Sequence, residues 1–219
     1  MESTAREVAT DFGIPWLEVE THEILDSRYA SNPVNRCYFC KSELWDRLRT
    51  VARERGYQVV ADGSNADDVG DHRPGSVAGA EREVRSPLLE AGLTKADLRA
   101  WSHELGLPTW DQPAAPCLAS RIPYGLSVTP NRLRQIETAE RAIRELGLRD
   151  FRVRHQDDVA RLEIHPDELV RAVAARARML DAVRGAGFSR VVLDLEGYRR
   201  GSLNEGLAAA QLVKLGAPS

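Results

Sequence analysis

The sequence predicts an α/β domain followed by a smaller α+β module, and three observations carry that reading. Through the first half, runs of helical spacing alternate with short apolar stretches that fit strands. A long polar loop, DGSNADDVGDHRPG, follows one such stretch, where α/β sheets place ligands beyond the carboxyl ends of strands. Past Gly125 the order changes to α-β-β-α-β, so the boundary is expected near residues 125–129. A length of 219 residues accommodates one full domain and a smaller one.

In order, residues 2–12 form a helix with Ala5, Val8 and Phe12 on one face, stopped by Gly13. Residues 15–20 (PWLEVE) then fit a strand. After Asn32 and Pro33, residues 41–56 form a helix with Leu44, Trp45, Leu48 and Val51 inward. Residues 57–61 (YQVVA) fit a short buried strand that leads into the polar loop. Thr94 caps a helix that ends at Gly106. Thr129 and Pro130 start a helix reaching Gly147. Residues 151–155 and 159–164 fit a hairpin, residues 166–187 a helix, and residues 191–195 a strand. Residues 203–215 are amphipathic.

Composition narrows the function classes. The hydrophobic fraction of 42% supports a core, and the charged fraction of 29% is mixed in sign with a net charge of −3. Proteins that grip nucleic acid non-specifically carry a positive excess, so nucleic acid is not an expected partner. No apolar run approaches the length of about eighteen residues that spans a bilayer, and MESTAREVATDFG lacks the apolar core of a secretory leader. Three cysteines, an odd and low number, fit a reducing cytoplasm.

Those cysteines are the chemical focus. Cys37 and Cys40 stand in NRCYFCK, and Cys117 stands far downstream in PAAPCLASRIPYG beside Ser120 and Arg121. A CxxC pair can reach one metal centre, but zinc needs a fourth ligand, and neither His72 nor His103 has diagnostic spacing. Three cysteines suit an iron–sulfur cluster with one open iron. Three unrelated core thiols and a redox dithiol at Cys37/Cys40 are the open alternatives.

Around them, Asp62, Asn65, Asp67 and Asp68 offer oxygens for hydroxyls or Mg²⁺, with Arg73 adding a cation. A solvated connector is the plainer reading of that loop. Arg152 and Arg154 alternate along one strand, with Arg161 opposite; two guanidiniums on one face suit a phosphate, or salt bridges to Glu163, Asp157 or Asp158. Arg121 has no acid near it in sequence and reads as ligand-facing.

NPVNRCYFCK, ADGSNADDVGDHRPG, SPLLEAGLTKADLR, PAAPCLASRIPYG, RVRHQDDVARLEI and LDLEGYRRGSLNE occur in this order. With these blocks the chain resembles the LarE-type sulfur transferases, relatives of the PP-loop (adenine nucleotide alpha hydrolase) superfamily, over nearly its whole length. The resemblance implies a Rossmann-like PP-loop ATPase domain over residues 1–126 and an α+β substrate-binding and oligomerisation domain over residues 127–219. It implies a cytoplasmic homo-oligomer that acts on a small-molecule nucleotide, away from membranes. The implied reaction inserts sulfur into a pyridinium dicarboxylate mononucleotide on the way to the nickel-pincer nucleotide of lactate racemase. ATP with Mg²⁺ adenylates a carboxylate, sulfur attacks the acyl carbon, and AMP leaves.

One form of the family sacrifices a cysteine one position before Cys117, where this chain has Pro116. The other form carries three cysteines, so the resemblance implies a [4Fe-4S] cluster held by Cys37, Cys40 and Cys117. It places Cys117, Ser120 and Arg121 at the reacting centre, Arg152 and Arg154 on the substrate phosphate, and Glu140 and Glu163 as acids beside it, Glu163 as a metal ligand. Asp62, Asn65, Asp67, Asp68 and Arg73 fall on the nucleotide side. The family's phosphate loop, SGGxDS, is absent from the sequence, so the expectation is a domain lacking its first strand and that loop, about two strand–helix units. A tRNA-thiolating PP-loop enzyme and a truncated, non-catalytic remnant are the alternatives.

Overall fold

The structure, a computed structural model, describes residues 2–112, 116–199, 201–205, 207–208 and 211–212, with side chains from residue 4 onward. In chain order the helices are α1 (Glu2–Asp11), α2 (Ser27–Ala30), α3 (Arg36–Glu54), α4 (Pro74–Ala80), α5 (Pro87–Glu90), α6 (Lys95–Glu104) and α7 (Pro130–Glu145). Strands β1 (Phe151–Gln156) and β2 (Val159–Ile164) follow, then α8 (Leu169–Ala174), α9 (Arg176–Gly185) and β3 (Arg190–Leu193). The fold is mixed α/β with one small sheet. Among the described residues no helix is long and apolar enough to cross a membrane.

The described residues of Met1–Glu23, Cys37–Gln112 and Leu212–Ser219 form one compact unit, and those of Ile24–Arg36 and Pro113–Gln211 form another. Two expected strands of the first unit are absent. Residues 15–20 form no strand, with Trp16 and Leu17 exposed and the Trp16 indole donating to Glu18. Residues 57–60 likewise form no strand, and Tyr57 and Val59 are exposed rather than buried. An isolated strand is not stable without a neighbour; among the described residues the first segment has none and the second has a single bridge. What survives is one parallel bridge between Ala61 and Arg85, where the Arg85 amide donates to Val60 and the Asp62 amide to Arg85.

The helices of this unit end where the sequence says. Gly13 and Gly106 adopt φ of +64° and +73°, which close α1 and α6. At the start of α6, Thr94 accepts from the Asp97 amide while Asp97 accepts from the Thr94 amide, a reciprocal cap. Helix α3 begins earlier than the apolar spacing indicates and takes in both cysteines of the CxxC.

In the second unit, Thr129 accepts from the Arg132 amide and Pro130 occupies the first helical position of α7. The β1–β2 hairpin pairs Phe151 with Ile164, Val153 with Leu162 and His155 with Ala160, and these inward residues pack with Ile136, Ala139 and Ile143 of α7 as core. Its two-residue turn places Asp157 at φ +55°, which a short polar side chain tolerates. Strand β3 pairs parallel with β2, the crossover running through α8 and α9. The single helix expected over residues 166–187 is divided: a 3₁₀ turn leads into α8, and the chain tightens at Ala175, whose amide bonds both Arg171 and Ala172 carbonyls. Of the expected amphipathic segment over residues 203–215, the described part begins with a 3₁₀ turn at Ser202–Asn204, and residues 206, 209–210 and 213–215 lie outside the described residues.

Candidate functional site

Cys37 and Cys40 lie three residues apart in the first turn and a half of α3, which places both half-buried thiols on one helix face. Cys117 is exposed and heads the 3₁₀ turn Leu118–Arg121, its carbonyl accepting from the Ser120 amide. None of the three is in a disulfide. The pair belongs to the first unit and Cys117 to the second. Within either unit, no three Cys, His, Asp or Glu side chains among the described residues gather to hold a metal ion. His103, considered as a fourth ligand, packs edge-on against Trp110 at 4.7 Å. Residues 113–115 of the PAAPC motif lie outside the described residues.

Arg121 is bonded to protein groups on every nitrogen. It is 3% exposed, and its Nε and Nη2 donate to Glu140 Oε1 and Oε2 at 2.8 and 3.0 Å, a two-pronged ion pair. The acid comes from α7, nineteen residues on, which is why local sequence did not show it. The remaining Nη1 donates to the carbonyls of Pro116 and Cys117 and to Ser120 Oγ. Glu140 Oε1 also accepts the Val153 amide at 3.1 Å. One buried ion pair therefore fixes the backbone around Cys117 to strand β1.

That strand carries Arg152 and Arg154 on the face away from the hydrophobic core. Register sets Arg152 opposite Glu163 and Arg154 opposite Arg161, so four charged side chains share one face. Arg154 Nε donates to Glu163 Oε2 at 2.8 Å, Nη1 to the Ser120 carbonyl at 2.8 Å, and Nη2 to Ser202 Oγ at 2.7 Å. Ser202 in turn donates to Glu163. Arg161 bonds the other Glu163 oxygen and pairs with Asp194 at 3.2 Å. Glu163 is thus an anion shared by two guanidiniums, Arg154 and Arg161. Arg152 lies over the Tyr198 ring at 4.5 Å. Burial, then the charge of Arg121, pulls the Arg152 guanidinium below its ordinary range, against the favourable effects of Tyr198 and Glu140.

The loop of residues 62–75 is bonded mainly to itself and to its neighbours. Asp62 accepts from the Ser64 amide and hydroxyl and from Ser86 Oγ. Asp67 accepts the Lys95 amide at 2.7 Å, at the start of α6. Asp68 is buried and accepts from Arg73, Lys95 and the Asn65 amide. Burial alone would raise its pKa, but Lys95, the Asn65 amide and the Arg73 charge outweigh that and hold it below the ordinary carboxylate value. An open cleft of the same unit, lined by Leu17, Val19, Asp46, Arg47, Thr50 and Arg55, includes none of the residues picked out from sequence.

Sequence reasoning missed Asn32. It is fully buried with φ of +57°, and its Nδ2 donates to the carbonyls of Ile122, Pro123 and Leu126 at 3.3, 2.8 and 2.8 Å. Its own carbonyl accepts the Gly125 amide, and its Oδ1 accepts from Arg36 Nη1 at 2.8 Å. Arg36 lies over the Tyr124 ring at 5.0 Å. The only sequence signal was Asn before Pro33, a turn dipeptide. Asn32 holds the RIPYGL exit of the Cys117 motif as firmly as Arg121 holds its entry.

No family model matches the chain. It is 45% identical to an uncharacterized protein of Synechocystis over 88% of this chain and 72% of that protein. It is 36% identical to the pyridinium-3,5-bisthiocarboxylic acid mononucleotide synthase of Lactiplantibacillus plantarum, over 86% of this chain and 68% of that one. An uncharacterized protein of Methanocaldococcus jannaschii is 30% identical over 77% of this chain and 66% of its own length.

Proposed function

Because this chain belongs to the LarE family of pyridinium-3,5-bisthiocarboxylic acid mononucleotide synthases, we propose that it is an ATP-dependent sulfur transferase of nickel-pincer nucleotide biosynthesis. The observation that carries this is a 36% identity to the named synthase across 86% of the chain, which takes in residues of both units. The substrate is a pyridinium dicarboxylate mononucleotide. A carboxylate oxygen leaves poorly, so it first attacks the α-phosphorus of ATP, taking AMP and releasing pyrophosphate. A sulfur nucleophile then forms a C–S bond at the acyl carbon, the C–O bond to AMP breaks, and a thiocarboxylate remains.

In this reading Arg152 and Arg154 take the substrate phosphate. Arg154 is held by Glu163, Ser120 and Ser202 before any ligand arrives, which supports a preorganised phosphate face. Arg121 and Glu140 act as positioning residues, fixing the Cys117 backbone to the strand that carries those arginines. Glu163 serves as anchor for the arginines and, as further proposed, as a metal-ligating acid. Asp62, Asn65, Asp67, Asp68 and Arg73 border the nucleotide, with Mg²⁺, through a loop their own bonds hold rigid, and the first unit is part of a Rossmann-like PP-loop ATPase domain. The parallel Ala61–Arg85 bridge beside that loop supports this assignment. The assembly is a cytoplasmic homo-oligomer.

Three cysteines outside any disulfide suit a [4Fe-4S] cluster with one open iron. Cys37, Cys40 and Cys117 would hold it. When bound, the cluster supplies the sulfide that is transferred.

Anaerobic purification tests the reading. The expected protein is brown, with about four iron and four sulfide per chain, and it converts the dicarboxylate mononucleotide with ATP into a product in which sulfur replaces one oxygen by mass. Colourless protein that resists reconstitution removes the cluster. Reconstituted protein that leaves the substrate unchanged removes the reaction.

A further inference from the structure

Arg36 is a buried cation that the sulfur-transfer scheme does not use. It is 2% exposed, yet among the described residues no carboxylate pairs with it. Its Nη1 is taken by Asn32 Oδ1 at 2.8 Å, its guanidinium lies over Tyr124, and its Nε is buried with no hydrogen-bond partner. The buried Arg121 and Arg154 each have a carboxylate, Glu140 and Glu163. A guanidinium taken out of water without a counter-ion is costly, and an aromatic face offsets only part of that cost. The side chain is held in this state by Asn32, itself fully buried and committed to three loop carbonyls. The guanidinium is therefore fixed in place while its Nε–Nη2 edge makes no bond to the described residues.

That edge presents two parallel N–H bonds, the geometry that matches two oxygens of a carboxylate or phosphate. We propose that the Nε–Nη2 edge of Arg36 is an oxyanion-binding site, taking a carboxylate or phosphate group of a small molecule next in sequence to Cys37. The site shares no residue with the Arg152/Arg154 face and does not depend on the sulfur-transfer reading.

The test is a titration of the full chain labelled with ¹⁵N-arginine, following the Nε–H resonances, with Arg36 assigned by the signal missing in Arg36→Lys or Arg36→Met. Inorganic phosphate, pyridine-3,5-dicarboxylate and sodium chloride are added separately at matched ionic strength. The expected result is a saturable shift of the Arg36 resonance with phosphate or with the dicarboxylate, and none with chloride; the arm that responds identifies the source of the oxyanion. An Arg36 resonance unmoved by both, or moved equally by chloride, overturns the proposal even if other arginine signals respond to phosphate. In calorimetry, Arg36→Met should weaken the responding ligand about 10-fold or more, and an unchanged affinity would equally overturn it. If neither variant folds, Arg36 is assigned in the wild type through its contacts with Asn32 and Tyr124, and the shift of that one resonance decides.

Discussion

The guanidinium of Arg121 and the carboxylate of Glu140 are both buried, and each also holds backbone: Arg121 the carbonyls of Pro116 and Cys117, Glu140 the Val153 amide. Removing one partner leaves a charge stranded in low dielectric, and Glu140→Ala should cost about 3–5 kcal/mol of unfolding free energy. The double change Arg121→Leu with Glu140→Leu should cost well under the sum of the two single changes. Denaturant melts of the three variants check this; a Glu140→Ala loss below about 1 kcal/mol would mean the pair behaves like a surface salt bridge. Sequence could flag Arg121 by its place beside Cys117, but not its partner, because only the packing of α7 on the Leu118–Arg121 turn brings residue 140 within reach. Asn32 was illegible for a related reason: its left-handed backbone and three carbonyl acceptors, some ninety positions away, leave no local pattern.

At the scale of elements, features whose causes are local could be read directly. The Thr94/Asp97 cap, the Thr129–Pro130 start and the hairpin of alternating residues all depend on neighbours within a few positions. The strands expected over residues 15–20 and 57–61 failed because a strand is defined by its partner, and β-branched or aromatic content says nothing of whether one is present. Asp67 shows the two scales meeting. Sequence placed it on the nucleotide, while its carboxylate accepts the first backbone amide of α6. Asp67→Ala should lower stability by about 1 kcal/mol, as loss of a cap does, and Thr94→Ala by a similar amount. Thermal melts without any nucleotide read this, and an Asp67→Ala protein as stable as its parent would return that residue to a purely ligand-facing role.

Across the whole molecule, the chain does not run through one unit and then the other. It enters the second unit over Ile24–Arg36, returns to the first at Cys37, and comes back at residue 113. The early visit supplies Asn32 and the Ala30 carbonyl that accepts the Val128 amide. A polypeptide cut to begin at residue 113 therefore lacks the donor for the Ile122, Pro123 and Leu126 carbonyls and should melt less cooperatively than the same polypeptide with residues 24–36 supplied as a peptide. Rescue of the melt by that peptide, and its failure with Asn32→Ala, are the expected outcomes; an excised fragment indifferent to the peptide would contradict them. The sheet-bearing half thus cannot be shuffled as a continuous cassette. Any recombination that moves it between relatives must carry a short stretch from just ahead of the CxxC, or separate two pieces that mature only together.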